Sequence, residues 1–405
     1  MLPPVLDIYV IWHPDDVDGD KIARQVIEHF HGTPYVGLIG GSVEVYTRSA
    51  SWMHGSDAPR PIPATEPQPH GLPSPLLTAV VPLVGIELCR AVEDSSSGWG
   101  EYLTAIVAAG SQSDNVGIFP ALMEEWDRND HLGEVLAGIQ ALPPHVTNDN
   151  AVLCRDISQQ ATHMIGAPLS KPLTVFISHT KRPSQDEEAD WVDDFITRVR
   201  IRISKTHLQE FFDESDLQPG SSFADELDRN AASNSLLALR TDLYASRDWC
   251  QREFRKAKEA GMPVVTLSAI RRAEERGSFL MDHVPVVGYQ DGDEDTRDRS
   301  IDTALNLLVD RALRYSLWAL QQDGLLSLGI DWAPPEAPEP ATLIPWLIQH
   351  GSTAGDGQFT IMHPDPPLGP QEEELIRMLF TLVSTNATVE IVTPRTYADR
   401  GGRGL

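Results

Sequence analysis

Positive charge is what this chain has least of: 32 Lys and Arg stand against 59 Asp and Glu in 405 residues, a formal net charge of −27. The acidic excess runs through all three thirds of the chain, and a phosphate backbone is bound by clustered Lys and Arg, so DNA and RNA are excluded as partners. Long apolar runs are missing as well, and none approaches the roughly 18–20 residues needed to cross a bilayer. No membrane span is expected. The first eight residues, Met1 to Ile8, set no basic segment before an apolar one, as a secretory leader would, and a cytoplasmic location is the expectation. Cysteine is scarce: Cys89, Cys154 and Cys250 lie far apart with no Cys-x-x-Cys pairing, against both a disulfide framework and a zinc site.

What is present is the composition of a globular protein, 41% hydrophobic and 7% aromatic. At roughly 100–200 residues per domain, the length allows two to four domains. Residues 5–12 form a β-branched apolar run, and Lys21 to His31 carries Ile22, Val26, Ile27 and Phe30 at helical spacing. An extended run from Ser42 to Thr47 leads into a polar, proline-broken stretch, Ser51 to Pro75, which reads as a long surface loop. Leu77 to Gly85 reads as a buried strand and Trp99 to Ala109 as a helix. Strands alternating with helices imply a parallel α/β sheet.

The alternation restarts after Pro172. Strands are expected at 173–178, 209–212, 236–241 and 262–268, with helices at Ala189 to Ile203, Ser222 to Ala232, Asp248 to Ala260 and Ile301 to Gln322. Gly261 should stop the third helix. The pattern is that of a doubly wound sheet of about five strands. Residues 326–342 turn to Pro, Ala and Glu and read as a linker, and 343–405 hold one strand–helix–strand unit. Such a unit cannot bury a sheet alone, so it should complete a neighbouring sheet or open a further domain.

Three segments carry the chemistry: Phe176-Ile-Ser-His; Phe211-Phe-Asp-Glu-Ser-Asp-Leu-Gln-Pro-Gly-Ser-Ser-Phe; and Ser246-Arg-Asp-Trp-Cys-Gln-Arg-Glu-Phe. In this order and spacing they resemble the signature segments of Toll/interleukin-1 receptor (TIR) domains; the segments fall within residues 172–270, about a quarter of the chain, and the domain they imply spans residues 172–315. The resemblance implies a flavodoxin-like fold, self-association through a loop after the second strand, a TIR or sensor partner and, as in many bacterial members, cleavage of NAD+ at the nicotinamide–ribose bond. NAD+ is then a substrate, and no resident cofactor or metal is expected. The glutamate matching the family's catalytic residue is Glu253.

The residues support that chemistry without the name. Trp249 and Glu253, four apart on one helix, put an indole beside a carboxylate. Nicotinamide leaves as a neutral base that needs no protonation, so one carboxylate suffices to stabilise the oxocarbenium charge left on ribose. Doubly wound sheets bind ligands at the carboxyl ends of their strands, where Ser178, His179 and Lys181 fall, and the family's pattern sets Asp213, Pro219 and Gly220 above the same cleft. Each has a plainer alternative: a core tryptophan, a solvated glutamate, a serine satisfying the strand end, an exposed loop histidine, a solvated lysine, a turn aspartate.

Residues 1–165 repeat the plan weakly, with Leu103 four after Trp99 where a carboxylate would be needed and Glu101 pointing elsewhere. They read as a non-catalytic domain, either degenerate TIR-like or an unrelated α/β fold. His13-Pro-Asp-Asp and His363-Pro-Asp-Pro lack a second histidine at metal-ligand spacing and read as strand-end turns. The tail from Ile361 loosely resembles the opening of Rossmann-like modules found beside bacterial TIR domains, without their glycine-rich phosphate loop.

Overall fold

The computed structural model describes residues 5–38, 43–65, 75–166, 168–169, 173–180, 189–211, 223–274, 277–350, 358–383 and 388–400. They form two compact units, 1–165 and 166–405. No helix among the described residues is long and apolar enough to cross a membrane.

The first unit runs β1 (Leu6–Ile11), α1 (Gly19–Phe30), β2 (Val43–Arg48), β3 (Leu77–Val84), α2 (Ile86–Glu93), α3 (Trp99–Gln112), β4 (Val116–Ile118), β5 (Ala121–Leu122), α4 (His131–Val135), α5 (Pro144–Thr147) and α6 (Asn150–Ile165). Its sheet is parallel in the order β2-β1-β3-β4, and β5 pairs further along β3. Every residue of β1 and β3 is buried, Asp7 and Thr78 included, as expected of mainly apolar runs sandwiched on both faces. The His13 segment is a strand-end turn in which the Asp16 amide donates to the His13 carbonyl. The Asp16 carboxylate then accepts the Glu87 and Leu88 amides, each at 3.1 Å, capping the start of α2. Only glycine fits at position 85, because a Cβ there would lie 2.4 Å from Asp16 Oδ1.

The periodicity misses α6 for a physical reason: polar residues are buried alongside Leu153, Cys154, Ile157 and Ala161 and blur its apolar stripe. Arg155, Asp156, Ser158, Gln159 and Thr162 are all buried, with Arg155 Nε 3.1 Å from Asp156 Oδ1. A search for apolar stripes passes over such a helix. The loop after β2 holds no helix or strand over its described part, 51–65, but it is not purely superficial, since Ile62 is fully buried.

The second unit begins with β6 (Thr174–Ser178), α7 (Ala189–Ser204), β7 (Gln209–Phe211), α8 (Phe223–Ala231), β8 (Ser235–Arg240), α9 (Asp248–Glu259), β9 (Val264–Ser268), β10 (Val286–Gly288) and α10 (Glu294–Ser327). The five strands are parallel in the order β7-β6-β8-β9-β10, which renumbered along this sheet is 2-1-3-4-5, the flavodoxin-like winding. The expected fold class holds. β10 is too short and too exposed to leave a pattern. α10 starts seven residues earlier than its apolar spacing suggests, because the Asp293 side chain caps the Thr296 amide. Its first turns lie on α7 through Arg198 and Arg202, which pair with Asp298 and Asp302.

The remainder is α11 (Pro340–His350), β11 (Gln358–Met362), α12 (Pro370–Val383), β12 (Thr388–Val392) and α13 (Pro394–Asp399). β11 and β12 form a parallel two-stranded sheet over a small core that includes Leu343, Leu347, Ile361, Ile376 and Phe380. The Pro-Ala-Glu stretch differs from the expected linker. Residues 326–327 close α10 and 340–342 open α11. Between them the chain is bonded: the Asp331 amide donates to Thr360, Trp332 accepts from the Met362 amide, and the Ala333 carbonyl accepts from both Trp318 and Gln322. Composition signals a spacer, but Trp332 packs on the small core and Ala333 and Pro334 are buried, which holds the segment down.

One buried polar group makes the stability of the first unit depend on pH. Asp7 is 5% exposed in β1, and burial pushes its carboxyl up to about 6. The folded state therefore holds a proton that the unfolded state releases near pH 4, and stability falls as pH rises from about 4 to 6. Asp7→Asn, which keeps the acceptor for the Tyr9 hydroxyl, should raise stability at pH 8 by roughly 1–3 kcal/mol and leave it unchanged at pH 4, measured by urea denaturation at both values.

Candidate active site

β6 and β8 are neighbours in register, Ser178 opposite Ala238, so the ends of both strands open on the same edge of the sheet. Ser178 is the last residue of β6 and is fully buried. Beyond β8 the chain makes a short 3-10 turn, Tyr244–Ser246, and enters α9. α9 packs by Cys250, Phe254 and Ala257, a stripe at i, i+4 and i+7. Glu253 shares this buried face, and Trp249 lies at its margin.

Three side chains meet at that edge. Ser178 Oγ lies 2.6 Å from Glu253 Oε2 and 2.6 Å from the Tyr244 hydroxyl. A serine has one proton to give, and a carboxylate can only accept. Ser178 therefore donates to Glu253 and accepts from Tyr244. Tyr244 is fully buried, and desolvation holds its hydroxyl well above the ordinary phenol range, so it keeps the proton this chain requires. Short bonds to a carboxylate of this kind are the stronger class.

The structure revises the picture of a solvated glutamate. Glu253 is 4% exposed, whereas Trp249, one turn earlier, is 43% exposed. Four residues advance a helix by about 400°, so the two side chains are adjacent but offset by about 40°, enough to put one inside and one at the surface. Arg252 lies over the Trp249 ring, 5.3 Å from its centroid, and forms a two-bonded pair with Asp228 of α8 at 2.7 and 2.8 Å. The indole is thereby braced from the side of α8.

His179 is buried, and its carbonyl accepts from the Cys250 thiol at 3.5 Å, which ties the chain after β6 to α9. Next to it, the Thr180 and Thr241 hydroxyls lie 3.3 Å apart across the ends of β6 and β8. Of the residues expected at the cleft, the structure brings together Ser178, His179, Trp249 and Glu253. Lys181, Asp213, Pro219 and Gly220 lie outside the described residues. Tyr244 went unnoticed in the sequence, where it is one aromatic in a loop; the available signal was its hydroxyl directly after the third strand of the sheet.

In the first unit the corresponding helix is built differently. Trp99 and Leu103 are both buried and Glu101 is exposed, so no carboxylate joins that core.

The hydrogen-bonded chain gives Glu253 a structural role. Glu253→Ala should cost about 1–3 kcal/mol in a denaturation experiment, because it strips a buried hydroxyl of its acceptor, while Glu253→Gln, which keeps an acceptor oxygen, should cost less. Tyr244→Phe should cost about 1 kcal/mol by the same measurement.

Residues 175–301 match the family model described as TIR domain. No curated protein matches the chain at a significant level. The matched span takes in the five-stranded sheet but for its first residue, together with the buried carboxylate on α9, so the chain carries a TIR domain in its second unit.

Proposed function

We infer that its TIR domain gives the chain a role in signalling. We propose that this one is also an enzyme that cleaves the nicotinamide–ribose bond of NAD+, with Glu253 as its catalytic carboxylate. The observation that carries the reading is a single buried carboxylate, oriented by Ser178 and Tyr244, at the edge of a parallel sheet where such folds bind ligands, with an exposed indole one turn away.

The chemistry needs little more. The electron pair of the breaking C1′–N bond passes to the nicotinamide ring and neutralises its positive charge. Positive charge develops on the ribose, and Glu253 stabilises it at close range. Water then adds its oxygen at C1′ and gives up a proton, so that NAD+ and water yield nicotinamide, ADP-ribose and a proton. The burial that surrounds Glu253 strengthens its electrostatic effect on the ribose relative to the same carboxylate in water. Trp249 supplies a flat face for stacking, and Ser178 and His179 border the cleft. Lys181, Asp213, Pro219 and Gly220 are assigned to the same cleft by the family pattern. Self-association through the TIR domain would complete the site, and the flanking α/β segments would sense a trigger in a bacterial immune or stress response.

The test is nicotinamide release from NAD+ by the purified full chain, beside Glu253→Gln, over a wide range of protein concentration and with a crowding agent. The expected result is release that rises more steeply than protein concentration and falls by at least about a hundredfold in the variant. Equal turnover by the two proteins would overturn the assignment of Glu253. NAD+ left intact at every concentration by folded, self-associating protein would favour the other reading, a TIR adaptor that transmits signals by binding alone.

A further inference from the structure

The second unit holds a cavity of about 540 Å³ that has no part in the chemistry above. It lies where the C-terminal turn of α9, the second half of α10, the 331–339 segment and α11 meet. Its size falls in the range of small-molecule sites. The wall is set by the backbone as much as by side chains. Gly261, at φ +68, ends α9 in the left-handed region, and a Cβ there would come within 2.9 Å of Pro335, so only glycine lets the proline-rich segment approach this closely.

One side of the cavity is aromatic. Trp346 stacks with Trp332, at 5.2 Å, and with His350, at 4.9 Å, and all three line the space. The other character of the wall is negative. Among the described residues it presents five carboxylates against two permanent cations. Both cations are already engaged: Arg311 pairs with Glu336 at 2.6 Å, and Lys258 pairs with Glu339 at 2.8 Å while donating to the Asp282 carbonyl. Asp323 and Asp331 stand exposed at the rim. Deeper in, Glu339 is more than nine-tenths buried, and both of its oxygens face the Lys258 ammonium, Oε1 at 2.8 Å and Oε2 at 3.0 Å.

The geometry points to a binding site for a small organic cation, an ammonium or guanidinium on an apolar body. Indole faces are the best partners for such a charge, and excess carboxylate in a partly closed space attracts it while repelling anions. A phosphate-bearing ligand such as NAD+ is disfavoured on the same ground. The occupant would rest on Lys258, Glu259 and Gly261, at the C-terminal end of the helix that carries Glu253. Five residues separate Lys258 from Glu253, about 7.5 Å along a rigid helix. A ligand here is placed to bias the catalytic helix without touching the substrate.

The test reads binding directly and so stands apart from whether the protein cleaves NAD+. The full chain is titrated calorimetrically with agmatine, spermidine and phenyltrimethylammonium, and with benzoate as an anion of similar size. At least one cation should bind once per chain with Kd below about 1 mM, more weakly at higher ionic strength, and benzoate should not bind. The double variant Asp323→Asn, Asp331→Asn removes two charges while keeping an acceptor for the Thr360 amide, and should weaken binding about tenfold with an unchanged thermal transition. The proposal fails if no cation binds the wild type, if benzoate binds as well as the cations, or if the folded double variant binds them equally.

Discussion

The second unit is organised around one hydroxyl. Ser178 ends β6, the strand between β7 and β8, and by accepting from Tyr244 and donating to Glu253 it joins the strand end, the turn after β8 and helix α9 at a single atom. Each neighbour depends on it. Without Ser178 the buried Tyr244 hydroxyl would lose its acceptor and Glu253 one of its donors, at a cost of roughly 1–3 kcal/mol. The arrangement is directional because Tyr244 and Ser178 each have one proton to give and the carboxylate accepts, and this holds Glu253 in one rotamer. A preorganised carboxylate is what a developing cation requires, since nothing then has to reorient as the bond breaks.

How much of this was legible beforehand follows the strength of the local patterns. β1, β3, β6 and β8 are mainly apolar runs, and α1, α7 and α9 carry apolar stripes; all could be read from spacing alone, as could the parallel winding. The parts that escaped are those whose determinants are polar or distant. α6 buries polar residues among its apolar ones, β10 is three residues paired to β9, and α2 is started by a carboxylate some seventy residues earlier in the chain. At the site, spacing placed Trp249 and Glu253 side by side but not one inside and one outside, because burial depends on what packs over the helix. Tyr244 was invisible because only the fold brings it to Ser178.

A small device recurs at opposite ends of the chain. In the first unit Asp16, after the central strand, accepts from the first amides of the helix that follows the adjacent strand. In the last sheet Asp365, after β11, accepts from the hydroxyl of Thr393, which caps α13 after β12. Both aspartates belong to His-Pro-Asp segments. The shared logic is that parallel strands end together, so an acidic residue after one strand lies beside the electropositive helix start after its neighbour. In both segments the aspartate serves the architecture of the strand ends.

The Lys258–Glu339 pair bears on where the TIR domain ends. The family match stops at residue 301 and the apolar winding ends with α10, yet the carboxylate that neutralises Lys258 belongs to the segment beyond. So does the carbonyl that receives the Trp318 indole proton. A fragment cut after α10 would keep every strand and every residue of the site while leaving an ammonium and an indole N–H stripped of the partners that balance them, and loss of one member of a buried pair is usually worth about 3–5 kcal/mol. The smallest piece of this protein that is electrically complete is therefore longer than its recognisable domain.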